Sequence, residues 1–451
     1  MSSPPPTAEA ASTPRRTHPI TPLVHAGRGL PIALVAGFGL LGNFQSQLPL
    51  QFALPIMVGI AIGLATLIAG FQYLAWHQLT FWFDAEGDFR MASGVVTRRE
   101  RRLQLSRLQG VEVVQPLLAR LFGMAEVSVE VAGAGDSRAV VRYVSLADAT
   151  SLRNEVIARA AGLRPDSGEA PEQPLVQVPA KDLIVSLLLR GSTVFLVALT
   201  AVIVVTTIVG AGWAGAAFLL AGGVPLLMVV AEFTRYYNFT VADSPDGLRL
   251  RSGLLQTQSQ TIPPGRVQAV EFVQSMLWRR KDWVRVRLNV AGMKSGDDQD
   301  SGQGNEMVLL PVAPYDVAIS VVQRVLPGVD ARSIPLSPPP ARARKRAWIQ
   351  FRALGVGFDE RVFVSARGKF VHRLTVVPHA RTQSVRVTQG VWERSLGLAT
   401  MHIDSTPGPV RAMALHRTAA EARALAESQN LRGENAFAAG GTKRWMDPGA
   451  S

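Results

Sequence analysis

The sequence predicts a membrane protein in which α-helical hairpins alternate with three copies of a small α+β domain. Three observations lead to this fold class. Apolar stretches occur in two closely spaced pairs, one register of polar and apolar residues recurs three times, and each recurrence combines short alternating strands with a closing helix. Alternation with period two is typical of a half-buried strand, and a long apolar run is typical of a spanning helix.

Four apolar stretches have the composition of membrane spans, which need about 20 apolar residues. They are residues 30–47, 52–76, 191–209 and 213–231. The first is the weakest because it contains Asn43 and Gln45. We predict one transmembrane hairpin over residues 29–76, and an interfacial segment with a second hairpin over 180–232. The alternative, a set of buried core helices, is disfavoured because these runs lack a polar face.

Charge predicts the orientation of the chain. It carries 47 Lys and Arg against 34 Asp and Glu, a formal net charge of +13, yet the short links 48–51 and 210–212 hold no charge. Because positive residues stay on the cytoplasmic side, we predict a multi-pass cell-membrane protein with four spans and with cytoplasmic termini and domains. The basic residues do not gather into a recognisable nucleic-acid module, so we expect membrane lipids as partners and no nucleic acid.

An internal repeat decides the domain organisation. Counted from Gly94, Gly253 and Gly368, an arginine recurs at positions 13 and 26, a glutamine at positions 15 and 21, and a valine at position 17. The repeated polar residues are Arg107, Gln109, Gln115 and Arg120 in the first copy, Arg266, Gln268, Gln274 and Arg279 in the second, and Arg381, Gln383, Gln389 and Arg394 in the third. Five identical positions without a gap indicate three related domains.

Each copy has the same predicted elements. Short β-branched and aromatic runs come first, the glycine marks a hairpin turn, an alternating strand follows, and a helix closes the copy. The helices are predicted over 147–161, 315–325 and 419–430, the last opened by Thr418 and Glu421 at capping-box spacing. The pattern indicates a small barrel or sandwich whose open end the helix plugs. The predicted domains cover 77–164, 233–328 and 353–432, with a linker over 329–352 and disordered tails over 1–28 and 433–451.

The repeated segments 105–123, 262–282 and 377–397 resemble the bacterial pleckstrin-homology-like (PH-like) domain of the second type, a former domain of unknown function that occurs in tandem on multi-pass membrane proteins. The resemblance covers most of residues 30–432. It implies a fold of about seven strands capped by a C-terminal helix, and it implies no assigned activity. Family members usually place a hydrophobic hairpin before each domain, and the third copy departs from this pattern.

The linker before the third copy is basic and aromatic instead of apolar. After three prolines it contains Arg342, Arg344, Lys345, Arg346, Trp348, Phe351 and Arg352. Basic residues beside aromatic ones suit an anionic membrane surface. We therefore predict that these residues hold the third domain against the membrane without a span. A flexible linker with a solvated charge run is the alternative.

The repeated arginines and glutamines allow two interpretations. They could form a site in which an arginine grips a phosphate or carboxylate, or they could fix a hairpin by bonding to backbone groups. A structural role that recurs in three copies of one fold requires fewer assumptions than three equivalent ligand sites. The sequence therefore favours a structural role, with partner binding kept as the alternative.

No motif indicates catalysis. The chain has no cysteine, the histidines lack metal-ligand spacing, and no phosphate loop, dinucleotide motif or nucleophile motif occurs. We expect no catalytic residue, no metal and no cofactor, and we predict a scaffold with a protein partner, possibly a related PH-like membrane protein. A transport or lipid-handling component is the alternative, although the four stretches carry few of the polar residues that a pathway needs.

Overall fold

The computed structural model describes most of the predicted domains. The described residues are 14–16, 76–94, 97–131, 138–160, 173–210, 226–244, 247–262, 265–291, 307–406 and 408–439, with scattered residues between 59 and 74. They divide into two compact units, Met1–Glu169 and Ala170–Ser451. The first predicted span, nearly all of the predicted N-terminal tail and residues 440–451 of the predicted C-terminal tail lie outside the described residues, as do most of the second and fourth spans.

The first unit contains the first copy of the repeat. Its first sheet has the order β1-β2-β3-β4, where the strands are Arg15–Arg16, Thr80–Phe83, Phe89–Ser93 and Arg99–Leu103. Strands β5 (Leu108–Gln115), β6 (Met124–Val131) and β7 (Arg138–Ser145) follow, with the one-turn helix α1 (Leu117–Leu121) between β5 and β6. Helix α2 (Leu146–Ala160) closes the copy one residue earlier than predicted. Residues of the predicted N-terminal tail thus supply an edge strand, β1.

The second copy lies in the second unit and follows an apolar helical segment. Strand β8 (Gln173–Gln177) precedes the helices α3 (Ala180–Leu188) and α4 (Gly191–Gly210), and a further helix covers residues 226–236. The domain strands are β9 (Thr240–Ser244), β10 (Gly247–Ser252), β11 (Thr257–Ile262), β12 (Val267–Ser275), β13 (Trp283–Val290) and β14 (Val308–Pro314). With β8 they make seven strands. Helix α5 (Tyr315–Val325) closes the copy at the predicted residues.

The third copy has six strands and a longer closing helix. The elements are β15 (Gly355–Phe358), β16 (Val362–Arg367), β17 (Val371–Pro378), β18 (Ser384–Thr388), α6 (Val391–Ser395), β19 (Leu398–Asp404), β20 (Ala412–Thr418) and α7 (Ala419–Ala439). The Thr418 hydroxyl accepts the Glu421 N–H at 3.1 Å, as predicted for the N-cap, whereas the Glu421 carboxylate of the predicted capping box pairs with Arg417. The helix continues past its predicted end at residue 430, so part of the predicted C-terminal tail is helical.

One sheet crosses the boundary between the second and third copies. Strand β12 pairs with β13 on one side and with β17 on the other, giving the order β14-β13-β12-β17-β16-β15. Every residue of β13, which lies between β14 and β12, is buried. The expectation that one face of this alternating strand would be wet is therefore wrong in the second copy, because both faces pack against protein. In β6 of the first copy, the alternating Val127 and Val129 are fully buried as predicted.

The three glycines that anchor the repeat do form hairpin turns. Each has a positive φ, and each connects the second and third strands of its copy. A Cβ on Gly94, Gly253 or Gly368 would lie about 2 Å from the carbonyl oxygen three residues later (2.0, 1.9 and 2.1 Å). Glycine is the residue type that tolerates both the φ value and this close approach. The sequence prediction of the three turns is confirmed.

The apolar helices of the described residues do not settle the predicted spans. Within the described part of the chain, no single helix is long and apolar enough to cross a membrane. Together, α3 and the first part of α4 have the length and apolar composition of a membrane span, but the two helices are bent by 55° relative to each other.

Candidate functional site

The second repeated glutamine makes the same backbone hydrogen bond in every copy. The amide Nε2 of Gln115 donates to the Met124 carbonyl at 3.3 Å. Gln274 donates to the Trp283 carbonyl at 3.2 Å, and Gln389 donates to the Leu398 carbonyl at 2.7 Å. Each bond ties the end of one strand to the start of the next across a one-turn connection. This is the type of bond that the structural interpretation of the motif requires.

The second repeated arginine belongs to that same connection. The carbonyls of Arg120, Arg279 and Arg394 accept hydrogen bonds from the N–H groups of Gly123, Asp282 and Gly397, and all three donor residues have a positive φ. The three arginine side chains are exposed. In the second copy, the Arg279 guanidinium donates to the Lys369 carbonyl in the turn between β16 and β17.

The first repeated arginine and glutamine differ more between copies. Gln268 is buried and donates to the Arg266 carbonyl at 3.2 Å. Arg381 donates to the Gly265 carbonyl at 2.6 Å, and burial together with the neighbouring Arg381 charge lowers the pKa of Arg266. In the first copy, Arg107 is exposed and ends a 3-10 turn. The side chain of Gln109 lies outside the described residues, and Gln383 is exposed. Within each copy, the described motif residues thus lie near backbone turns.

Exposed apolar side chains flank the second arginine of each copy, a feature that the sequence analysis missed. Residues two and three positions after the second glutamine are apolar in every copy. The exposed ones include Leu117, Met276, Leu277, Val391 and Trp392, with Val391 and Trp392 more than 70% exposed. The register of the repeat carries the signal, because an apolar pair recurs at the same two positions. Large exposed apolar residues beside arginine mark an interaction surface.

The basic linker packs onto the third copy with its charges outward, which the flexible-linker alternative does not predict. Its alanines Ala343 and Ala347 are buried, and the guanidinium of the fully buried Arg417 donates to the Ser337 and Pro338 carbonyls at 2.6 and 2.9 Å. Phe351 is half-buried. The other predicted membrane-contact residues are exposed, namely Arg342, Arg344, Lys345, Arg346, Trp348 and Arg352.

A shallow depression connects this linker to the turn between β16 and β17. It has a volume of about 420 Å³ and is lined by residues 346–350 and 368–371. Trp348 and Phe370 are 76% and 58% exposed at its rim. Arg279, which follows the exposed Met276 and Leu277 in the chain, donates to the Lys369 carbonyl of the same turn.

This surface reaches the base of the apolar helix α4. The indole N–H of Trp278 donates to the Ser186 carbonyl of α3 at 3.0 Å. A Cβ on Gly191, the first residue of α4, would lie 3.8 Å from the Ser275 hydroxyl. We call the linker, the β16–β17 turn and residues 276–281 the basic–aromatic band. The Trp278–Ser186 hydrogen bond therefore connects the band to α3, just before the start of α4.

An ion-pair cluster joins the helices at that base. Glu232, in the helix over residues 226–236, pairs with Arg190, and its other oxygen lies 2.5 Å from the Arg285 guanidinium of β13. Arg190 precedes α4, so the start of α4 lies beside the helix over residues 226–236.

A second ion cluster connects the second and third copies. The Glu271 carboxylate on β12 is 0% exposed. Arg367 and Arg373 of the third copy approach it at 3.0 and 3.2 Å, and Arg287 approaches at 3.8 Å. Glu271 also accepts a hydrogen bond of 3.4 Å from Thr375, its cross-strand partner.

Two further polar clusters serve local structure. Asp84, Glu86 and Asp88 gather in the turn between β2 and β3, but Arg102 pairs with Glu86 and Asp88, and Arg90 pairs with Asp84. These arginines already neutralise the carboxylates, and Asp84 and Asp88 also accept backbone N–H groups. Among the described residues, these three carboxylates are the acidic cluster with the spacing of a metal site. Their hydrogen bonds and ion pairs indicate that they stabilise the turn.

The third copy contains a buried carboxylate beside a histidine. Glu393 accepts hydrogen bonds from the Thr400 hydroxyl at 2.7 Å and from the Gly390 N–H at 3.2 Å, and its Oε1 lies 2.8 Å from Nδ1 of His416. Burial alone would raise the pKa of Glu393, but the hydrogen bonds outweigh it and the pKa lies below 4.5. The cluster fixes α6 against β19 and β20.

Comparison with known proteins places this architecture in a family. The profile of the bacterial PH domain matches three times, over residues 32–160, 189–327 and 341–433. A curated relative, the UPF0699 transmembrane protein YdbT of Bacillus subtilis (strain 168), is 20% identical over 336 residues, which cover 67% of each chain. No solved structure matches the chain. The three matches cover most of the sequence and coincide with the three copies of the repeat, so the chain belongs to the bacterial PH domain family.

Proposed function

We propose that this protein is a non-enzymatic, multi-pass membrane protein that displays three PH-like domains on the cytoplasmic side as a scaffold for protein partners. The carrying observation is the Glu232 cluster, which joins the start of α4 and the helix over residues 226–236 to β13 of the second PH-like domain. The relative whose name describes it as a transmembrane protein supports a membrane location. The second repeated glutamine supports a structural role for the motif, since its amide donates to a backbone carbonyl in every copy.

Affinity purification of the full chain from native membranes in mild detergent tests the scaffold role. We expect a stoichiometric protein partner by mass spectrometry of the co-purifying proteins and lipids. A specific lipid or solute without a protein partner would contradict the scaffold and favour a transport or lipid-handling function.

The absence of cysteine makes the orientation directly measurable. Single substitutions at the exposed serines Ser106→Cys, Ser320→Cys and Ser395→Cys place one thiol on each copy with little change in volume. We expect a membrane-impermeant maleimide to label all three in inside-out vesicles and none in intact cells. Ala211→Cys, in the short link after the third predicted span, is the matched control and should label with the opposite pattern. Labelling of Ser320→Cys in intact cells would refute the orientation.

We also propose that the basic–aromatic band lies on anionic lipid. Its exposed cations and aromatic residues suit a headgroup layer, where each basic residue contributes about 1 kcal/mol, and its contacts end at the base of α4. A bimane dye on Ile349→Cys should be quenched by brominated lipids after reconstitution with anionic lipid. The same dye on Ser320→Cys is the control. Replacing Arg342, Arg344, Lys345 and Arg346 by Gln should reduce the quenching, and unchanged quenching would contradict the proposal.

A further inference from the structure

The third copy has a sheet edge that the second copy does not have. Strands β12 and β18 occupy the same place in the repeat, since Val270 and Val385 both lie 17 residues after the hairpin glycine. Strand β12 pairs with β13 on one side and with β17 of the next copy on the other. Strand β18 is the outer strand of the order β18-β19-β20, and over the described residues its ladder runs to β19 alone.

Exposure follows this difference in pairing. Strand β12 is buried at every residue except Gln274, which is half-buried. In β18, by contrast, Ser384, Arg386 and Val387 are exposed, and the other two residues are half-buried. An edge strand of this kind presents unpaired N–H and C=O groups, which can serve as a template for another strand. The strand at this repeat position thus has its outer edge paired in the second copy and exposed in the third.

We propose that β18 pairs with the third strand of a PH-like domain on a different polypeptide, in the antiparallel register that β12 makes with β17. The inference rests on the proposed scaffold function and names its docking surface. Main-chain hydrogen bonds between the strands would supply affinity, as in β-strand addition. The observed sheet between the second and third copies provides the geometry, because it joins the same two strands of consecutive domains.

Charge selects the kind of partner. At position 18 after the hairpin glycine, the first and second copies have Glu112 and Glu271, whereas the third has Arg386. Glu271 lies opposite Thr375, which is at position 7 of the next copy, and it binds the arginines of that copy. Arg386 pairs with Asp404 of its own copy at 3.2 Å, yet its side chain remains 60% exposed. The reversal of charge at position 18 therefore favours an acidic residue on the partner strand.

A second copy of this chain does not meet that requirement. Its own first PH-like domain carries Arg101 at position 7, in strand β4. Pairing β4 with β18 would place Arg101 directly opposite Arg386, and like charges at that distance disfavour a strand pair. The partner is therefore a related PH-like domain with an acidic residue at position 7, and not a second copy.

Labelled hairpin peptides test the proposal on the full chain in detergent. The peptide covers residues 362–378, the β16–β17 hairpin, with either Thr375→Glu or Thr375→Arg, and binding is measured by fluorescence anisotropy. We expect the acidic peptide to bind at least tenfold more tightly than the basic one. Arg386→Glu in the full chain should invert this preference, because it reverses the charge that faces position 7. Arg411→Glu, an exposed charge reversal in the same copy, should leave the preference unchanged.

The outcomes separate this inference from the proposed function. Equal binding of both peptides, or a preference that Arg386→Glu leaves unchanged, would overturn the inference. Tight binding of a peptide of residues 89–103, which contains β4, would show that a second copy is the occupant and would also overturn it. Retention of the natural partner by Arg386→Glu in affinity purification would leave the scaffold standing and remove β18 as its docking surface. Unchanged hydrogen exchange in α7 of each variant shows that the third copy remains folded.

Discussion

Replacing Glu271 by Gln removes the one carboxylate in a buried cluster of three arginines. Glu271 is fully buried, and Arg367 and Arg373 reach it from the third copy at 3.0 and 3.2 Å. Removing one member of a buried ion pair costs about 3–5 kcal/mol because the remaining charge is left uncompensated. Arg367 and Arg373 keep 19% and 33% of their side-chain surface exposed, so we take the lower end, a loss of about 3 kcal/mol.

Thermal unfolding of the purified chain in detergent, followed by tryptophan fluorescence, measures this loss. For a domain of about 150–250 residues, 1 kcal/mol corresponds to about 2–4 °C, so Glu271→Gln should lower the apparent Tm by about 6–12 °C. Asp404→Asn is the matched control. Its carboxylate pairs with Arg386 in an exposed setting, at 41% and 60% exposure, where a pair contributes about 1 kcal/mol or less.

A loss from Glu271→Gln no larger than that from Asp404→Asn would refute the reasoning. A second variant separates charge from packing. Adding Arg373→Met to Glu271→Gln removes one of the uncompensated cations, so the double variant should recover part of the lost Tm. If the double variant is less stable than Glu271→Gln, the arginine stabilises the sheet through contacts other than the carboxylate.

Three further changes test the repeated features. Gln389→Leu should cost about 1–3 kcal/mol because it leaves a backbone carbonyl without its donor, whereas the exposed Gln383→Leu should cost little; equal losses in urea unfolding would contradict the structural role. Gly368→Ala should destabilise the full chain by more than about 1 kcal/mol, since its Cβ would lie 2.1 Å from a carbonyl oxygen, and an unchanged Tm would contradict the turn. The pKa of Glu393 is lowered by folding, so it stabilises the fold above pH 4.5 and this contribution is lost as pH falls through the folded pKa. Glu393→Gln should therefore flatten the decrease of Tm at acidic pH, and a parallel decrease would refute its part in acid unfolding.

The sequence predicts those structural features that depend on residues within a single copy of the repeat. The hairpin glycines, the closing helix at Tyr315–Val325 and the cap at Thr418 all depend on residues close in the chain, so local spacing is sufficient to find them. The pairing of β12 with β17 depends on residues about one hundred positions apart, as in the Glu271–Arg373 pair. In the sequence, Glu271 is an ordinary polar residue of an alternating strand. Its burial follows from a neighbour that periodicity does not identify.

Identity and divergence among the copies carry different information. The glutamine at position 21 is the same in all three copies, and in each it bonds to a backbone carbonyl of its own copy. Position 18 differs, and in the second copy its residue binds the next copy instead. A residue that bonds within its own domain has the same partner in all three copies, so it stays the same. A residue that contacts a neighbouring domain must instead complement the residues of that neighbour. In a tandem of PH-like domains, recognition is therefore best sought at positions where the copies differ, and Arg386, on the exposed edge strand β18, is such a position.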